Sequence, residues 1–129
     1  MASSVAVTRG VRVEVNVEFV PERSDRSQGR WFFAYHIRIT NEGAVTVQLL
    51  TRHWIITDSD GHVEEVQGPG VVGAQPVLHA GQSFEYTSFC PLRTPFGSMR
   101  GTYQMVTDSG ERFDAQIATF SLNEPYSVH

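Results

Sequence analysis

From Val11 to Phe19 the chain alternates without a break, with Val11, Val13, Val15, Val17 and Phe19 on one parity and Arg12, Glu14, Asn16 and Glu18 on the other. Successive side chains of an extended strand point to opposite faces, so this segment buries one face and wets the other. A second strand begins at Trp31, where Trp31, Phe33, Tyr35, Ile37 and Ile39 share one face and His36, Arg38 and Thr40 lie opposite, among Phe32 and Ala34. Between the two, Pro21 to Gly29 reads as a solvated loop and a mobile rim, and Asn41 to Gly43 supplies turn chemistry. Val45 to Thr57 is rich in β-branched and aromatic residues and runs into Asp58-Ser59-Asp60-Gly61, whose Asp-Gly pair predicts a hairpin with Val63 to Val66 returning. Further strands are predicted around Phe84, Tyr86 and Ser88, over Thr102 to Thr107, and over Arg112 to Leu122 after a turn at Asp108-Ser109-Gly110.

Nowhere do apolar residues recur at i, i+3, i+4 and i+7 over two or more turns, so no long helix is predicted. About seven or eight short strands separated by turns specify an all-β fold, an antiparallel β-sandwich of immunoglobulin or fibronectin type III kind, with a small barrel as the alternative. Trp31, Phe33, Tyr35, Trp54, Phe84 and Tyr86 are expected to fill the space between the sheets, and an exposed aromatic subset would mark a partner surface. The 129 residues fit one domain, 1–129, with an ordered core over about 11–122, short flexible termini and a loosely held tail after Leu122.

Composition narrows the function classes. The formal net charge is −4 with signs interspersed, which excludes an extended nucleic-acid surface. No apolar stretch approaches the roughly 20 residues that span a bilayer. A lone cysteine, Cys90, forms no internal disulfide, and the N-terminus shows no leader pattern, so a cytoplasmic location is expected.

Gly68, Gly70 and Gly73 fit the pattern G-x-G-x-x-G, and backbone N–H groups freed of Cβ crowding can form an anion-binding concavity. The dinucleotide fingerprint also requires a following helix, whereas Val71 and Val72 lead towards more β structure, and Pro69 lacks an N–H. The alternative is a structural loop that needs unusual φ angles. Arg52 and His53 sit beside Trp54, and a strand sends Arg52 and Trp54 to one face and His53 to the other. Both suit an anion held by the loop, with Arg100 as a further partner; the plain alternative is a hydrogen-bonded strand around a packed Trp.

No metal site is predicted, because His36, His53, His62, His79, Asp58, Asp60, Glu64 and Glu65 show no compact ligand spacing and the Asp-Gly turn accounts for Asp58 and Asp60. No cofactor is predicted beyond a weakly held Mg²⁺ bridging a bound phosphate. No catalytic residues are identified: Cys90 before Pro91 lacks a neighbouring base motif, so the chain reads as a non-enzymatic protein.

Several motifs occur together and in order: Phe32-Phe33-Ala34-Tyr35, Val47-Gln48-Leu49-Leu50, Arg52-His53-Trp54, Gly68-Pro69-Gly70-Val71-Val72-Gly73-Ala74-Gln75-Pro76, Phe84-Glu85-Tyr86-Thr87-Ser88 and Gly97-Ser98-Met99-Arg100-Gly101. From about Val11 to Leu122 the chain resembles the bacterial ApaG family, with Thr51 where a serine is common. The resemblance implies a fibronectin type III-like sandwich, an association with cobalt and magnesium efflux or resistance, and relatedness to domains that look like partner-binding modules in larger eukaryotic proteins. It also makes the glycine loop the first place to look for a pyrophosphate-type ligand. Two readings follow: a binding module that holds a phosphate-containing small molecule through Gly68, Gly70, Gly73, Arg52, His53 and Arg100, or a protein-interaction module that uses a sandwich face or edge strand. Unpaired edges also admit a homodimer.

Overall fold

The computed structural model describes residues 3–125, which form an all-β antiparallel sandwich. The strands in chain order are β1 (Ser4–Thr8), β2 (Val11–Phe19), β3 (Trp31–Asn41), β4 (Val47–Asp58), β5 (Val63–Pro69), β6 (Val77–Leu78), β7 (Ser83–Leu92), β8 (Phe96–Thr107) and β9 (Arg112–Asn123). The first sheet runs β1-β2-β3-β7; the second runs β5-β4-β8-β9, with β6 beside β4. The expected loop between β2 and β3 holds two short 3-10 turns, Pro21–Arg23 and Arg26–Gln28, the latter capped by Asp25.

Alternation drives the burial. Val11, Val13 and Val15 of β2 and Phe33, Tyr35, Ile37 and Ile39 of β3 face the second sheet, and the expected aromatic set is buried or packed against the core. Trp54 stands edge-on to Tyr35, Tyr103 and Phe120, an arrangement that aromatic quadrupoles favour. On β4 an extra residue, Leu50, shifts the register against β8 between Leu49 and Thr51. This bulge reverses the alternation, so Val47 and Leu49 face inward before it and Arg52 and Trp54 after it.

The structure departs from the sequence reading at both ends and at the glycine segment. Strand structure begins at Ser4, upstream of the first strand read from the sequence at Val11, because β1 pairs along β2 from Ser4↔Val15 to Thr8↔Val11. At the other end β9 reaches Asn123, and Glu124 binds Arg26 and the Pro95 carbonyl; the rest of the expected tail, 126–129, lies outside the described residues. Strand β5 continues past Val66 through Gly68 and Pro69.

The two long sides of the sandwich differ. On one, β1 and β2 pack on β9, and the Gln116 N–H donates to Thr8 Oγ1 at 3.0 Å. On the other, β7 and β5 are the outer strands of their sheets and make no comparable packing with each other. The sandwich is closed along β1/β9 and open along β5/β7. Among the described residues no helix is long and apolar enough to cross a membrane.

Candidate functional site

The glycine segment comprises a strand end and a tight turn. Gly68 pairs with Arg52 across β4 and β5, and a Cβ on it would lie 3.1 Å from both terminal nitrogens of Arg52. The missing side chain lets that guanidinium lie against the strand. Arg52 Nη1 then donates to the carbonyls of Pro69 and Gly70, each at 2.9 Å. Gly70, at φ 61°, packs so tightly that a Cβ would stand 2.3 Å from the Ala74 carbonyl oxygen. Its N–H bonds the Leu50 carbonyl, while Val71 and Ala74 bond each other in both directions. Val72 and Gly73 occupy the turn, both with positive φ. The segment thus presents two carbonyls to a cation of its own chain, and the amides of Gly70, Val71 and Ala74 are already bonded.

The other candidates lie elsewhere. His53 points to the outer face of the second sheet, as alternation predicts, and its Nε2 is 2.7 Å from Glu65 Oε1. Arg100 sits on that same outer face, where β8 and β9 slip register between Met99 and Gly101. His53 and Arg100 line a shallow depression of about 400 Å³ with Thr102, Gln116 and Thr119. The structure therefore brings Arg52 to Gly68 and Gly70, and His53 to Arg100, on opposite faces, with Gly73 in the turn. Asp58 acts as the expected turn residue: its Oδ1 accepts from the N–H groups of Asp60 and His62 at 2.9 and 3.0 Å. Among the described residues no three His, Cys, Asp or Glu side chains gather to hold a metal ion.

A concavity of about 620 Å³ lies on the open margin. Ile56 and Leu92 belong to its apolar lining; Arg30 and Arg93 bring cations, His62 an imidazole, and Asp58 and Glu64 acids. Backbone direction leaves hydrogen-bonding groups facing outward along this margin. The N–H of Val20 bonds Phe32 and that of Glu42 bonds Gly10, so even-numbered β3 residues turn their backbone groups to β2. Odd-numbered ones bond β7, where their ladder partners are even-numbered. The N–H and C=O groups of Ser83, Glu85, Thr87 and Phe89 consequently point out of the sheet, as does the carbonyl of Pro91. Pro91 sits where its missing N–H costs no ladder bond. By the same alternation, anchored by Gly70 on Leu50 and Asp58 on His62, Pro69 faces outward from β5.

Beside the margin, Phe89 is 48% exposed and stacks on Phe32, with the Arg23 guanidinium over both rings. Inside it, the Tyr86 and Tyr103 hydroxyls share a hydrogen bond, and burial pushes both well above the ordinary phenol range. Burial also raises the Cys90 thiol to about 12, with Glu64 adding to the effect, which favours the neutral thiol over the thiolate. Sequence reasoning missed Arg30 and Arg93, because only the β3–β7 register brings these distant positions together.

These features define an antiparallel β-sandwich domain with one closed and one open long side. The sequence profile of the ApaG domain matches residues 21–107. Protein ApaG of Beijerinckia indica is 54% identical over 121 residues, covering 94% of this chain and 93% of the relative. Protein ApaG of Anaeromyxobacter dehalogenans is 56% identical over 126 residues, covering 98% and 99%. The solved structure of an ApaA protein from Bordetella pertussis superposes with a TM-score of 0.88 at 52% identity, covering 91% of this chain and 95% of that one. The chain belongs to the ApaG family.

Proposed function

We propose that the chain is a non-enzymatic docking module that receives an extended segment of a partner protein on the free edge of β7. The observation that carries this reading is the run of outward backbone groups at Ser83, Glu85, Thr87 and Phe89, on the strand whose far end, Pro91 and Leu92, lines the open cleft. Main-chain hydrogen bonds to such an edge give affinity, and alternate side chains reaching flanking pockets give specificity. The exposed Phe89 and the Phe32–Arg23 stack beside it provide the apolar and cationic contacts typical of docking surfaces.

The phosphate reading has less support from the geometry. Arg52 already serves the carbonyls of Pro69 and Gly70, and three amides of the segment are bonded internally. On the docking reading, any part in cobalt or magnesium resistance runs through the partner. Thr87→Pro is the test, since it removes an outward N–H and no ladder bond. Cross-linked capture from native extract should give a partner retained by the wild type and by Arg112→Ala, a control on exposed β9, and lost by a folded Thr87→Pro variant. Equal retention by all three, or no partner at all, would overturn the proposal.

A further inference from the structure

The β3–β7 ladder ends at the rung Trp31↔Leu92. Arg30 precedes Trp31 and Arg93 follows Leu92, so two arginines stand on neighbouring positions just past the last rung, and both line the open cleft. Like charges across a strand pair are unfavourable unless something lies between them. Five other arginines are matched: Arg9 pairs with Glu111, Arg12 with Glu14 and Arg26 with Glu124, while Arg52 holds carbonyls and Arg23 covers Phe32 and Phe89; Arg38, Arg100 and Arg112 form no ion pair among the described residues, but none of them lines this cleft. Among the described residues neither Arg30 nor Arg93 takes part in an ion pair.

The nearby carboxylates are engaged with their own segments or stand across the cleft. Asp25 Oδ1 is held by the Ser27 N–H and hydroxyl, at 3.0 and 2.6 Å, and Arg30 is the smallest influence on its titration. Asp58 Oδ1 caps its turn, and Glu64 belongs to the opposite wall, on β5. At this end of β7, Pro91 offers an incoming strand no N–H. The outward N–H donors that serve the edge from Ser83 to Phe89 therefore stop where the two guanidinia begin, leaving only the Pro91 carbonyl there.

We infer that Arg30 and Arg93 form a clamp for a carboxylate, and that the segment docking on β7 is acidic where it passes Pro91. This rests on the edge-docking reading and adds the partner's chemistry to it. The planar fork of each guanidinium matches a carboxylate in bidentate fashion, and bound charge relieves the Arg–Arg repulsion. Ile56 and Leu92 offer the apolar contact that alternate side chains of the segment need.

The test uses the full chain and labelled, end-capped peptides of about eight residues that alternate Val with Glu, Gln or Lys. Fluorescence anisotropy should show the Glu peptide binding about tenfold tighter than the Gln peptide, with the Lys peptide weakest. The double variant Arg30→Gln/Arg93→Gln should erase the Glu preference and leave Gln-peptide binding unchanged. Thr87→Pro should weaken the Glu and Gln peptides alike. Equal affinity for Glu and Gln peptides, a preference that survives the double variant, or no saturable Glu-peptide binding up to millimolar levels would each overturn the clamp. If Thr87→Pro weakens both peptides while no Glu preference exists, the clamp falls and edge docking stands. If Thr87→Pro leaves the affinity of both peptides undiminished while the clamp-dependent Glu preference exists, the clamp stands and the ligand lies off the β7 edge. Displacement of the Glu peptide by pyrophosphate, but not by free glutamate, would identify the arginines as a phosphate site and contradict carboxylate selection.

Discussion

At Val72 a β-branched residue adopts φ 42° while 61% exposed, where its side chain gains little burial to offset the strain. Two-residue turns with positive φ at both centres favour Asn or Gly, and Gly73 obliges only at the second. Val72→Asn is therefore expected to stabilise the fold by about 1 kcal/mol, read as a higher urea midpoint with unchanged slope. A lower midpoint would show that Val72 makes a contact whose loss outweighs the strain. At this scale the sequence was partly legible: alternation gave Arg52 and His53 opposite faces. The role of Arg52 was not legible, since it depends on the Leu50 bulge that turns it inward and on a register that places Gly68 beneath it.

Strands show why some elements could be read and others not. β2 and β3 carry their apolar residues on the buried parity, so periodicity finds them. β1 inverts the rule: Ser4, Ala6 and Thr8 are half-buried, while Val5 and Val7 face solvent. β5 extends through Gly68 and Pro69, residues that ordinarily argue against a strand, because an outer strand tolerates a proline whose nitrogen faces away from its neighbour. The same logic separates two adjacent substitutions on β7. Thr87→Pro removes no ladder bond and only the exposed Thr87 Oγ1–His36 Nδ1 contact, so it should cost less than about 1 kcal/mol, whereas Ser88→Pro removes a ladder N–H to β3 and should lower the urea midpoint much further. Equal losses for the two would mean that the assigned backbone directions are wrong.

For the molecule as a whole, burial of ionisable groups between the sheets sets the alkaline limit of stability. Cys90, Tyr86 and Tyr103 are all raised, chiefly by burial, the thiol from 9.0 to about 12. The unfolded chain releases the thiol proton near its ordinary value, while the fold retains it. The stabilisation is thus complete below about pH 9 and is lost as pH climbs towards the folded value, by at most about 1.4 kcal/mol per pH unit per group. The tyrosines act in the same direction from about pH 10 upward. Urea midpoints should fall between about pH 9 and pH 11, less steeply in Cys90→Ala; identical slopes would remove Cys90 from the account.

The open margin is also a property of the whole molecule. Strand count and alternation predict two facing sheets, but which strands end up outermost depends on sheet order, which no local pattern carries. That is why the sequence drew attention to the glycine segment rather than to the β5/β7 cleft. Hydrogen exchange of the wild-type chain with and without its captured partner tests this most directly. The account predicts that the amides of Ser83, Glu85, Thr87 and Phe89 gain protection on binding, while β1 and the outer face around His53 and Arg100 are unaffected. Protection confined to the 70–74 turn or to that outer face, with the β7 amides still exchanging freely, would contradict it.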